Sequence, residues 1–297
     1  MGMRIVPNIF ATMQAAVAQD QQNLNTALQQ VSTGQSVNTL SDNPLAASQL
    51  VGNRTELSST DQFLHSISYV QGAMQTADSA LNSVSNYLNQ AISLATEGAN
   101  GTMSSSDQQA IAQEVSSIQQ SILGLANSSY QGSYLFGGTA TVNPPYVQSS
   151  SSSSGVAYNG NSNVNQVQIG PSQFASINLP GSTIFNASGA DVFQALSNLT
   201  NALKTNGNVT GALSEVSAAF QNVNMQRTFY GNTLQQLNSA NNTLTSEQFT
   251  LQQDQNSLIA ANPATAISNM DQANYTLQAA LQAFAKISQN TLMDYIK

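Results

Sequence analysis

Apolar residues recur at alternating steps of three and four near both ends of this 297-residue chain. Near the start, Phe10, Met13, Val17, Asp20, Leu24, Ala27 and Val31 keep that step, and all but Asp20 are apolar. Near the end, Ile267, Met270, Asn274, Leu277, Leu281 and Phe284 keep it, with Asn274 as the polar interruption. This spacing lines one narrow seam of an α-helix, the stripe that a helical partner covers. Two ends of one chain can pair only if the chain doubles back, so the pattern predicts a hairpin course with paired terminal helices. It points to assembly rather than catalysis.

Between the ends, the periodicity predicts helices outside and strands inside. Gly34 stops the first helix, and Asn43 with Pro44 restarts it as N-cap and first helical residue, where the missing N–H of proline costs nothing. Leu57, Leu64, Ile67, Met74, Leu81, Leu88 and Ala95 then carry one seam to Gly98, a rod of about 80 Å at 1.5 Å per residue. Ser105 and Gln108 read as a capping box for a further helix with Ile111, Val115, Ile118, Ile122 and Leu125 on its seam. From Val142 to Asn186 the period shortens. Val156 to Tyr158, Val164 to Ile169 and Phe174 to Leu179 alternate between turn signals and read as hairpin strands, while Ser149 to Ser154 is a solvated loop tip. Asp191 caps a helix carrying Val192, Phe193, Leu196, Leu199 and Leu203. Phe220, Val223, Arg227, Tyr230, Leu234, Leu237, Asn241, Leu244, Gln248, Leu251, Gln255 and Leu258 mark a second rod whose polar seam positions fix register and partner. Asn262 and Pro263 open the terminal helix.

The expected fold is therefore mainly α, with long antiparallel helical rods, paired N- and C-terminal coiled-coil helices and a small inserted β domain. The expected division is a terminal helical domain (1–42 with 262–297), a rod domain (43–141 with 187–261) and an inserted β-rich domain (142–186).

Composition removes several function classes. Asp, Glu, Lys and Arg make up 7% of the chain, against roughly 25% in a typical soluble protein. Net charge is −8, and six basic residues form no cluster in sequence, which excludes ordinary phosphate-backbone binding. Low charge suits a subunit stacked on copies of itself, where each charge would meet its own like image. There is no Cys, hence no disulfide framework. No run of 18 apolar residues is present, so no membrane-spanning helix is expected. Arg4 precedes a moderately apolar stretch ending Ala16-Val17-Ala18, but Pro7, Asn8, Thr12 and Gln14 interrupt it and the heptad continues through it, so no cleaved leader is expected.

Catalytic constellations are lacking too. The only His, His65, stands beside seam residue Leu64, and zinc needs more His or Cys than the chain has. Fourteen acids leave a glycosidase-like carboxylate pair open by count, but Asp42 and Asp107 read as cap residues, and Glu97, Glu114 and Glu247 lie on helix faces or ends. Gly137-Gly138-Thr139 lacks the Lys of a phosphate loop. No enzyme activity and no cofactor or metal is expected.

Val31-Ser32-Thr33-Gly34-Gln35-Ser36-Val37-Asn38, followed by Ser41-Asp42-Asn43-Pro44-Leu45-Ala46-Ala47, resembles the N-terminal signature of bacterial flagellins and their hook-filament junction relatives. That family usually has two Asp before the Pro; Asn43 here keeps a capping side chain. Gly132-Ser133-Tyr134-Leu135-Phe136-Gly137-Gly138-Thr139, and Leu277 to Ala283 with Leu292-Met293-Asp294-Tyr295-Ile296, resemble the junction members more than filament flagellin. The likeness covers roughly 4–140 and 220–297 and leaves out the β insert.

What the resemblance implies is a structural subunit joining hook to filament. Its partners would be copies of itself in a ring, hook-associated protein 1, flagellin and an export chaperone, with no nucleic acid and no membrane insertion. It would be made in the cytoplasm, exported, and end outside the cell at the hook-filament junction. The expected assembly interface is Ile9, Phe10, Met13, Val17, Leu24, Val31, Leu277, Leu281, Phe284, Leu292 and Tyr295. The expected inter-subunit loop and helix cap is Ser32, Thr33, Gly34, Asp42, Asn43 and Pro44. Competing readings are filament flagellin, a secreted coiled-coil adhesin or translocator, and, remotely, an enzyme carried by the insert.

Overall fold

The computed structural model describes residues 7–39 and 41–295, with side chains over 10–39 and 41–286. In chain order the elements are α1 (Pro7–Thr33), α2 (Pro44–Gly98), α3 (Ser105–Ala126), β1 (Ser129–Tyr130), β2 (Ser133–Tyr134), β3 (Tyr146–Gln148), β4 (Val156–Tyr158), β5 (Gln166–Gly170), β6 (Gln173–Ser176), α4 (Gly181–Ile184), β7 (Asn186–Ala187), β8 (Ala190–Asp191), α5 (Val192–Thr205), α6 (Val209–Ile259) and α7 (Pro263–Tyr295). The chain is mainly α, with long antiparallel rods and paired terminal helices, as the periodicity predicts. It divides into two compact units, Met1–Ser59 with Glu247–Lys297, and Thr60–Ser246.

In the unit 60–246, α2 and α6 run antiparallel. Side chains bridge them in mirrored order: Gln71 Nε2 donates to Asn238 Oδ1 at 2.8 Å, Arg227 Nε to Asp78 Oδ1 at 3.0 Å, and Ser85 Oγ to Asn224 Oδ1 at 3.0 Å. Polar interruptions of the seam are therefore paired across it, and each pair holds the register. Between them Ile67, Met74, Leu81 and Leu88 on α2 are fully buried, as are Val223 and Leu237 on α6. The α3 seam (Ile111, Val115, Ile118, Ile122) and the α5 seam (Val192, Phe193, Leu196, Leu199, Leu203) complete the same core.

The α3 start lies one residue before the expected one. Ser104 Oγ accepts from the Asp107 N–H at 3.2 Å and donates to Asp107 Oδ2 at 2.7 Å, while Gln108 is buried with Nε2 on the Gly98 carbonyl. Both Ser104 and Ser105 can cap, so sequence alone left the frame open; burial of Gln108 at the α2–α3 turn decides it.

The insert consists of separate two-stranded antiparallel hairpins, β3–β4 and β5–β6, flanked by β1–β2 and β7–β8. Its side chains do not form a core of their own. Tyr146 stands among Tyr158, Phe185 and Phe193, with ring centroids 5.0, 5.5 and 5.3 Å away, and all join the core of α2, α3, α5 and α6. The Tyr134 to Thr139 segment, for which extended and turned forms were open, is a short strand followed by a turn. Phe136 is fully buried, and a Cβ on Gly137 or Gly138 would strike the backbone of Ala140 or Asn161. Gly138 also has φ +70°, a region that glycine enters without steric cost.

Candidate assembly surface

The unit built from 1–59 and 247–297 holds the residues singled out for assembly. Its centre is a pair of connectors. Gly34 takes φ +68° and its N–H donates back to the Gln30 carbonyl at 3.0 Å, ending α1 with the left-handed C-cap geometry. The next residues meet the end of α6 as a two-stranded antiparallel patch. The Ser36 N–H donates to the Ile259 carbonyl at 2.7 Å, the Ala261 N–H donates to the Gly34 carbonyl at 2.9 Å, and Gln35 faces Ala260. This patch fixes α1 and α7 side by side as they leave it. Asn262 Oδ1 then accepts from the Ala264 and Thr265 N–H groups at 3.0 and 3.3 Å and starts α7.

Asp42 and Asn43 share the work at the start of α2. The Asn38 and Thr39 N–H groups donate to Asp42 Oδ2 at 2.9 and 2.8 Å, and the Thr39 hydroxyl donates to Oδ1 at 2.9 Å. These donors, the Thr39 amide foremost, hold the Asp42 carboxyl below the usual carboxylate range. Asn43 Oδ1 accepts from the Ala46 N–H at 3.1 Å, which makes Asn43 the N-cap with Pro44 as first helical residue. Ser32, Thr33, Gly34, Asp42, Asn43 and Pro44 are all exposed, so the loop presents its outer face to solvent.

The helix pair is antiparallel, with the Phe10 ring 5.0 Å from that of Phe284. On α1, Met13, Val17, Asp20, Leu24 and Gln30 are half-buried and Ala27 is buried, whereas Phe10 and Val31 are 50% and 38% exposed. On α7, the covered residues are Ala266, Met270, Ala273, Leu277, Ala280 and Phe284, while Ile267, Asn274 and Leu281 face solvent. The covered stripe thus coincides with the sequence pattern at Met270, Leu277 and Phe284 and takes the alanines between them. Periodicity missed these alanines because Ala carries little hydrophobic signal; their strict spacing of seven was the available clue. The side chains of Ile9, Leu292 and Tyr295 lie outside the described residues.

What this unit buries is small, and what it leaves open is large. Its buried apolar residues are Ala27, Val37, Ala46, Ala47, Leu50, Leu251 and Ala266. Phe10, Leu28, Val31, Leu45, Val51, Phe249, Ile267, Tyr275 and Leu281 are each more than a third exposed, led by Tyr275 at 76% and Leu45 at 71%. Leu45, Val51 and Phe249 were not foreseen, because each stands off the seam of its own rod. Among the described residues, no group of three or more His, Cys, Asp and Glu is placed to hold a metal, and no helix is long and apolar enough to cross a membrane.

Comparison with known proteins gives this surface its context. Residues 8–141 match the model of the bacterial flagellin N-terminal helical region, and residues 213–296 match that of the bacterial flagellin C-terminal helical region. The chain belongs to the flagellin family. It is 29% identical over 160 residues to flagellar hook-associated protein 3 of Salmonella typhimurium, covering 54% of this chain and 49% of that protein. It is also 25% identical over 295 residues to flagellar hook-associated protein 3 of Escherichia coli, covering 91% of this chain and 92% of that one. Among solved structures, a flagellar hook-associated protein from Vibrio parahaemolyticus shares the fold with a TM-score of 0.68 at 22% identity, over 74% of this chain and 100% of that one. Both matched regions flank the insert, which the family models leave uncovered.

Proposed function

We propose that this chain is a structural subunit of the bacterial flagellum, of the hook-associated protein 3 type, and joins the hook to the flagellin filament. The single observation that carries the reading from family to assembly is the inverted burial of the unit 1–59 with 247–297. A part that buries mostly alanines while exposing Phe, Leu, Ile, Val and Tyr gains its remaining stability by covering them. Covering one Leu or Phe contributes about 1.5–3 kcal/mol, so several outweigh the ordering of two helices.

In this reading Ile9, Phe10, Met13, Val17, Leu24, Val31, Leu277, Leu281, Phe284, Leu292 and Tyr295 divide between closing the α1–α7 pair and meeting neighbouring subunits. Ser32 to Gly34 and Asp42 to Pro44 lie at a subunit contact. The terminal region (1–42 with 262–297) forms an inner layer of a ring of copies, the rods (43–141 with 187–261) the next, and the insert (142–186) the outside. Hook-associated protein 1 and flagellin lie on its two sides, a chaperone accompanies it before export, and the mature location is extracellular. The protein carries out no catalysis.

Electron microscopy of flagella from cells lacking this gene, together with the culture medium, tests the role. Hooks without filaments and free flagellin in the medium are expected. Normal filaments would overturn the reading in favour of an adhesin or translocator, and loss of the filament protein itself would assign the chain to flagellin.

A further inference from the structure

Within the unit 60–246, a cavity of about 200 Å³ opens between α2, α6, the segment after β1 and the stretch on either side of β5–β6. Its floor is apolar, with Ala73 and Ala77 one turn apart on α2 and Ile177 beside them. Its wall carries the Tyr230 hydroxyl. Tyr230 is 1% exposed, the Leu179 backbone approaches its oxygen, and yet no atom meets that oxygen with hydrogen-bond geometry. A buried donor left unpaired is costly, and the cost is recovered when something enters that can accept from it. The hydroxyls of Ser133, Tyr134 and Thr141, which make no hydrogen bond among the described residues, line the same space. No charged side chain does.

We propose that this cavity binds a small neutral ring bearing several hydroxyls, a monosaccharide in size and chemistry. A cavity of about 150 Å³ takes one six-membered ring, so the volume here admits one ring with substituents. An alanine floor suits the apolar C–H face of a pyranose. Unpaired hydroxyls around it suit the equatorial O–H groups, which both donate and accept. An anion would find no cation in the lining, and a cation would find no carboxylate. A purely apolar ring would leave the Tyr230 hydroxyl as it is.

The test titrates the full-length protein with D-glucose, D-galactose and N-acetylglucosamine, using cyclohexanol and glucose 6-phosphate as controls, and follows tyrosine ring resonances by NMR. Saturable binding of at least one neutral sugar is expected. Tyr230→Phe is expected to weaken that binding about tenfold, the loss of one well-placed hydrogen bond, while melting at the same or a higher temperature. Should Tyr230→Phe fail to fold, Thr141→Val at the half-buried rim reads the same loss. Absence of saturation by all three sugars overturns the proposal, as does unchanged affinity in the variant. Equal binding of cyclohexanol or glucose 6-phosphate overturns the ligand class, and a cavity occupied by water alone belongs to the first of these outcomes.

Discussion

Single residues in this protein do work that their neighbours cannot take over. Gly138 combines a positive φ with a backbone oxygen of Asn161 where a Cβ would sit, so Gly138→Ala suffers both strain and overlap. A loss of about 1–3 kcal/mol is expected, read as a lower denaturant midpoint at unchanged slope. Tyr146 and Tyr230 are neutral by burial, which pushes both phenols above their ordinary value of 10.0. In the unfolded chain both ionise near pH 10, while in the fold they keep their protons. The unfolded state therefore holds fewer protons above that pH, and stability falls as pH rises. Each phenol contributes about 1.4 kcal/mol per pH unit, so denaturant midpoints measured from pH 9 to 11.5 should drop steeply past 10. Asp42 has the opposite sign. Its carboxyl is held below 3.8, so its small contribution is present above that value and lost as pH falls through the lower folded value.

At the scale of elements, the helices were legible because their seams are periodic and their ends are punctuated. Gly34, Asn43-Pro44, Asp191 and Asn262-Pro263 all stand where the chain turns. Every α6 seam position from Phe220 to Leu258 is buried or half-buried, polar ones included, which is what an unbroken 3-4 step predicts. Three features escaped for physical reasons. The patch of Gly34 to Ser36 on Ile259 to Ala261 is made by backbone groups, which leave no side-chain pattern. The α7 face toward α1 uses alanines, whose packing value comes from close helix approach rather than from hydrophobicity. The insert shares the core of the helices through Tyr146 and Phe185, a long-range contact that local alternation does not encode. The candidate surface was legible where bulky residues marked it and not at Leu45, Val51 and Phe249. Two variants separate pairing from assembly. Leu277→Ala, on the covered stripe, should cost about 1–2 kcal/mol and speed hydrogen exchange across 263–286 in the monomer. Ile267→Ser, on the open stripe, should leave that exchange unchanged.

Across the whole molecule, burial is distributed unequally. Among the described residues the largest fully buried side chains, such as Phe136, Phe193, Met74 and Leu88, all belong to the unit 60–246. The other unit has only small buried residues and two leucines. Opening free energy follows buried apolar area, so limited proteolysis of the monomer should trim 1–59 and 247–297 first and leave a fragment close to 60–246, identified by mass spectrometry. Equal cutting in both units would contradict this. A surface with so few charges and so many open apolar side chains in one unit is that of a part completed by its neighbours. The decisive measurement is complementation of cells lacking this gene with the Leu281→Asp variant, a change on an exposed residue that leaves the α1–α7 stripe intact. The account predicts a folded, exported protein that fails to join filament to hook, with flagellin shed into the medium. Filaments of normal number and length would contradict it.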